Sequence, residues 1–140
     1  MKKLEFIYEN GPHKWAVISR DPEKPDYLID TNEYLVINGN DAILTDPGGM
    51  EIFSAVFSAI SAEFDPYRIV RLFASHQDPD IIGAVDRWLM YTGATVVCSK
   101  LWGRFVPHSV PHYQKNAGTD RYLLLDDDGG LVPMGGTDLL

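Results

Sequence analysis

Cysteine is nearly absent from this 140-residue chain, with Cys98 its sole representative. A single thiol excludes an intramolecular disulfide and fits a reducing compartment. Cys98 closes the apolar run from Ala94 to Val97, where it reads as a small buried hydrophobe. Histidine is scarce too: the four are His13, His76, His108 and His112. Basic residues number 12 against 20 acidic ones, for a formal net charge of -8. Nucleic acid and anionic membranes both call for a positive surface, so neither is expected as a partner. No stretch approaches the ~20 apolar residues of a membrane span. Met1-Lys2-Lys3 looks like the head of a signal peptide, but Glu5 and Glu9 break the apolar segment that must follow. A cytoplasmic protein is expected. There is no internal repeat and no low-complexity segment.

What remains is ordinary globular material, 45% hydrophobic and 23% charged, of a length that suits one domain. Leu4 to Tyr8 and His13 to Ser19 read as strands, the second with Trp15 and Val17 on one face. His13, near a turn and without acidic or thiol neighbours, reads as an ordinary exposed histidine. Pro22 and Pro25 mark a loop from Arg20 to Asp30. Glu33 to Ile37 and Ala42 to Thr45 form a hairpin about Asn38-Gly39.

The second hairpin strand runs into Asp46-Pro47-Gly48-Gly49, in which Asp46 is either a turn acid or a site residue. Met50 to Phe64 carries an apolar stripe at helical spacing. Ile69 to Ala74 is apolar at almost every position, as in a strand covered on both faces. A helix from Ile81 to Tyr91 and strands at Ala94 to Cys98 and Arg121 to Leu125 follow, with a short helix at Lys100 to Phe105. The alternation of strand and helix predicts parallel pairing with right-handed crossovers. The fold class is therefore α/β, a mixed β-sheet with flanking helices. Leu131 to Leu140 reads as a turn entering a new strand, and the expectation is that the domain, residues 1–140, has lost a C-terminal continuation.

Ser75-His76-Gln77-Asp78-Pro79-Asp80 carries the most chemistry. In a strand-like turn, residues two apart share a side, which would group His76, Asp78 and Asp80. An imidazole and two carboxylates without Lys or Arg are costly to hold together unless a cation compensates them. That donor set suits iron, manganese or zinc. Alternatively, Asp78 or Asp80 caps the helix that follows, with Pro79 in its first turn, which leaves His76 without a role.

Three segments resemble the metallo-β-lactamase superfamily, and within it the branch of flavodiiron proteins and stand-alone oxygen-binding diiron proteins. They are the hairpin from Tyr34 to Leu44, the turn Thr45-Asp46-Pro47-Gly48, and Ser75 to Asp80. The superfamily's hydrolases carry His-x-His-x-Asp-His at the last of these. This chain resembles the His-x-Glu/Asp-x-Asp of the diiron branch, with Asp78 at the carboxylate position and Ile81 in place of the final histidine. The resemblance implies an αβ/βα sandwich, of which the match covers only the N-terminal half. It implies two irons in the complete domain, with His76 and Asp78 on one metal, Asp80 on the other, and Asp46 orienting ligands from beneath. A carboxylate in place of imidazole favours iron at its higher oxidation state.

The implied activity is binding or reduction of dioxygen or NO, an oxidoreductase activity only if the site is completed. Electrons would come from an external donor protein, since no FMN domain follows, and a homodimer is among the implied assemblies. With further ligands absent beyond Asp80 except His108 and His112, the isolated chain is expected to bind metal weakly. Two alternatives stand: a zinc-dependent hydrolase of the same fold, and a metal-poor fragment or sensory module without activity.

Overall fold

The computed structural model describes residues 1–106, 121–134 and 137–139. Two antiparallel hairpins open the chain, β1 (Leu4–Asn10) with β2 (His13–Ile18), and β3 (Glu33–Asn38) with β4 (Asp41–Thr45). The second closes on a two-residue loop, Gly39-Asn40, with Gly39 at φ +64°. Glycine at the first loop position supplies the positive torsion that a tight hairpin needs. The loop thus sits one residue later than the Asn38-Gly39 expected, because Asn38 still pairs with Asp41.

Beyond β4 the strands turn parallel. β5 (Ile69–Ala74), β6 (Thr95–Ser99) and β7 (Tyr122–Leu125) complete a seven-stranded mixed sheet whose spatial order is the chain order. Helix α1 (Phe53–Ser61) crosses from β4 to β5. From β5 to β6 the crossover is made by α2 (Pro79–Ile82) and α3 (Val85–Tyr91). This is the α/β architecture expected, and it positions Asp46 and the turn from Ser75 to Asp80 at the carboxyl ends of β4 and β5.

Period-two alternation decides which strand residues meet the helices. Leu35, Ile37, Ala42, Leu44, Leu72 and Val96 are buried against Val56 and Ile60 of α1 and Val85 and Trp88 of α3. Trp88 is wholly buried, its ring meeting Phe53 edge-on at 5.3 Å. Trp15 and Val17 share the opposite face, and it is Ala16 and Ile18 that enter the core. On that opposite face Ile43 and Val97 pack with Val132 and Met134. These last two belong to β8 (Val132–Met134), which pairs with β9 (Thr137–Leu139) as a separate hairpin. Asn38 ties the hairpin to β3, its side-chain amide donating to the Met134 carbonyl at 3.0 Å.

Two helices differ from expectation. The first opens with a 3-10 turn, Met50–Ile52, and its α-helical part ends at Ser61. Asp65 then caps a new 3-10 turn through its carboxylate, which accepts the Tyr67 N–H. The expected helix from Ile81 to Tyr91 is two pieces, α2 and α3, for a reason that lies in the site. Cys98 and His13 stand as expected, the first buried and the second exposed. No helix among the described residues is long and apolar enough to cross a membrane.

Candidate metal centre

Because β4 and β5 are parallel neighbours with Thr45 opposite Phe73, Asp46 and Ser75 leave the sheet side by side. Asp46 staples the two ends together. Its N–H donates to the Phe73 carbonyl at 2.7 Å, and its Oδ1 accepts the Ser75 N–H at 2.8 Å. To do both, Asp46 takes φ +44°, a region that aspartate enters more readily than most residues. The staple fixes the residue immediately before His76.

His76 and Asp78 then converge, with Nε2 3.1 Å from Asp78 Oδ2. The other imidazole nitrogen, Nδ1, lies 3.1 Å from the Ser75 hydroxyl. Asp78 is also the residue that precedes α2, yet its side chain makes no capping hydrogen bond. Its carboxylate is therefore not spent on the helix end, and capping does not account for it. Both side chains are partly exposed, 37% for His76 and 60% for Asp78, so their mutual attraction is largely screened by water.

Asp80 is placed by different geometry. The turn does not continue as a strand, because Pro79 starts α2 and Asp80 falls in its first turn. Among the described residues no group of three or more His, Cys, Asp and Glu side chains is assembled to hold a metal. The structure thus brings His76 and Asp78 together and leaves Asp80 outside a ready-made cluster. His108 and His112 lie outside the described residues.

The loop from Asp46 to Gly49 supports α2 directly. Gly48 donates its N–H to the Ile81 carbonyl at 2.7 Å and accepts the Ala84 N–H at 2.9 Å. This exchange takes a backbone donor and a backbone acceptor out of the helical ladder, which is why α2 and α3 are separate. Gly48 is at φ +86°, and a Cβ there would lie 2.3 Å from Ile52 Cδ1 and 3.1 Å from Glu33 Oε1. Only glycine fits.

Below this loop lies an ionic cluster that the sequence reading passed over. Lys2 Nζ donates to Asp30 Oδ1 at 2.6 Å and to the Thr31 carbonyl at 2.9 Å, and it stands 3.1 Å from Glu33 Oε2. The Lys2 and Asp30 side chains are almost wholly buried and Glu33 completely so. Glu33 Oε1 accepts the Thr31 hydroxyl at 2.6 Å, whereas Oε2 has the Lys2 charge beside it but no hydrogen bond of good geometry. Burial pushes the Glu33 carboxyl up to about 7, outweighing the lowering effects of Thr31 and Lys2. A sequence signal existed. Alternation through Glu33, Leu35 and Ile37 puts the acid on the buried face of β3, where it must find a partner.

The family model described as ODP family beta lactamase matches residues 29–140. The chain belongs to that family. Among solved structures it resembles one described as a peroxy diiron species of chemotaxis sensor ODP, at 28% identity and a TM-score of 0.76 over 97% of this chain. The apo state of chemotaxis sensor ODP from T. denticola matches at 29% identity and a TM-score of 0.73 over 99%. A flavo di-iron protein mutant from Thermotoga maritima shares the fold at 18% identity and a TM-score of 0.68, covering 99% of this chain and 36% of that one. No curated protein matches the sequence. This ODP-family chain spans about half the length of the two ODP structures, 51% and 52%. The expected superfamily and its diiron branch are thereby shown, as is a metallo-β-lactamase-like fold that covers part of the domain.

His76 and Asp78 fit a metal ion as donors. Two ligand atoms at about 2.1 Å from one ion lie about 3.0 Å apart at the right angle of an octahedral site and about 3.4 Å apart in a tetrahedral one, a range that includes the 3.1 Å between Nε2 and Oδ2. Imidazole plus carboxylate suits iron and zinc alike.

Proposed function

We propose that this chain supplies the first ligands of a dioxygen-binding diiron site in an ODP-type domain. In this reading His76 and Asp78 hold one iron and Asp80 the other, and Asp46 keeps the ligand turn at its height above the sheet. The observation that carries it is the convergence of His76 Nε2 and Asp78 Oδ2 at a strand end stapled by Asp46, with the Asp78 carboxylate making no capping hydrogen bond. Supplied with iron, the site offers a redox-active centre for dioxygen or NO. The chain's own part is to orient His76 Nε2 through the Ser75 contact at Nδ1 and to present carboxylates that neutralise the metal charge. Reduction of dioxygen or NO would need electrons from an external protein. A sensory role, as the name of the solved ODP structures gives for those proteins, needs oxygen binding alone. A soluble cytoplasmic setting and a homodimer complete the proposal.

Zinc hydrolysis by the same fold is the second reading, and the donor set leaves it open. Asp78 in place of a histidine weighs against it, since a harder anionic ligand favours iron. The deciding experiment loads the chain with ferrous iron without oxygen and then admits air. An oxygen-dependent absorption change that is absent from His76→Ala supports the proposal. Equal spectra for the two proteins, or a change with no oxygen dependence, would sink it.

A further inference from the structure

The site reading leaves the Lys2, Asp30 and Glu33 cluster unexplained. A buried ion pair is seldom a net gain in stability over apolar packing, because desolvation offsets the attraction. This one is placed with its carboxylate against a loop that supports the ligand turn. Glu33 Oε1, held by the Thr31 hydroxyl at 2.6 Å, lies directly under Gly48, within 3.1 Å of where a Cβ would stand. Gly48 in turn exchanges two backbone hydrogen bonds with the segment from Ile81 to Ala84. Ile81 belongs to α2, the helix that Asp78 precedes and whose first turn contains Asp80.

These placements line up from Lys2 to the ligand turn. Lys2 bridges Asp30 and Glu33, and Asp30 Oδ2 accepts the Asp21 N–H at 2.7 Å. The Asp21 carboxylate meets the terminal amine of Met1 at 2.8 Å. Glu33 stands under Gly48, and Gly48 clamps α2. We infer that Glu33, propped by Lys2 and Thr31, is a positioning residue that sets the height of the Gly48 loop and thereby the placement of Asp78 and Asp80. The inference rests on the metal reading only for its functional consequence. The mechanical part, a floor under Gly48, stands on the placement of Glu33 Oε1 beneath Gly48 and on the two backbone hydrogen bonds above it.

The consequence is concrete. Metal affinity depends on the buried Glu33 side chain although Glu33 touches no ligand. Its shape and its acceptor for Thr31 matter more than its charge, because Oε1, the oxygen that accepts the Thr31 hydroxyl, is the one that lies 3.1 Å from the Cβ position of Gly48.

The test uses the full chain and two readouts, amide hydrogen exchange and cobalt(II) binding followed by absorption. In Glu33→Ala, exchange at the Gly48 and Ala84 amides should rise about tenfold or more while the Val96 amide in β6 stays within about twofold. Cobalt affinity should fall about tenfold in the same variant, and Glu33→Gln, which keeps the shape and the acceptor, should restore both. Ile60→Val, a core change away from the loop, should alter neither. If Glu33→Ala does not fold, Thr31→Val decides, with a rise of about three- to tenfold at the same two amides.

The inference is overturned if Gly48 and Ala84 exchange no faster than Val96, or if Glu33→Gln behaves as Glu33→Ala. It is also overturned if cobalt affinity is untouched while His76→Ala abolishes binding. Failure of the metal reading looks different: His76→Ala and wild type would bind cobalt equally, and the exchange result would still judge the floor under Gly48.

Discussion

Single residues carry most of the consequence here, and Glu33 is the clearest. Its carboxyl is raised from 4.5 to about 7 by burial, so the folded state holds a proton that the unfolded chain releases earlier. The stabilisation from that retained proton is full below the unfolded value and is lost as pH rises through about 7. The shift corresponds to roughly 3 kcal/mol. Urea unfolding at pH 5 and pH 8 should show wild type losing about that much stability relative to Glu33→Gln, whose side chain does not titrate. Parallel profiles for the two proteins would show that Glu33 is ionised throughout. Cys98 gives a second residue-scale expectation. It is buried with its thiol pushed up to about 11, so native protein at pH 8 should resist thiol reagents until denaturant is added.

At the scale of elements, the decisive contact is between a loop and a helix. The Gly48 exchange with Ile81 and Ala84 divides what sequence periodicity reads as one helix into α2 and α3. Gly48→Ala places a Cβ into Ile52 and forces an alanine to φ +86°. A loss of about 2–4 kcal/mol is expected from strain and clash together. Thermal melts should show it, and a variant within experimental error of wild type would mean that the loop relaxes freely. Asp46→Ala removes the acceptor for the Ser75 N–H, and a loss of about 1–3 kcal/mol is expected, with weaker cobalt binding because His76 is no longer held. At the far end of α3, Arg121 donates to the carbonyls of Leu89, Thr92 and Ala94. A cation at a helix C-terminus is favoured by the dipole, and β7 begins at the next residue, Tyr122.

At the scale of the molecule, a native-state ligand must raise stability. With a Kd of about 10 µM and 1 mM free metal, the gain would be about 2.7 kcal/mol. For His76→Ala no such gain is expected. A wild-type melting temperature indifferent to iron, zinc and cobalt would favour the metal-poor module instead. The incomplete donor set argues for modest affinity, since His76 and Asp78 converge while Asp80 sits on α2 without joining a cluster of three among the described residues.

Much of this was legible in the residues. The apolar runs at Ile69–Ala74 and Ala94–Cys98 identify buried parallel strands, the second observed at Thr95–Ser99, and Asn38-Gly39 locates a hairpin to within one residue, because these depend on local pattern. The motif from Ser75 to Asp80 is legible in its donor types, their alternate spacing after a buried strand and its resemblance to the diiron branch. The tertiary structure decided the rest. Whether His76, Asp78 and Asp80 share a side depends on whether the turn runs as strand or helix, and Pro79 with the Gly48 clamp settles that. The partnership of Lys2 with Asp30 and Glu33 joins residues 28 and 31 positions apart. No local period brings such residues together; only the closing of the sheet over α1 buries all three, and burial makes the pairing obligatory.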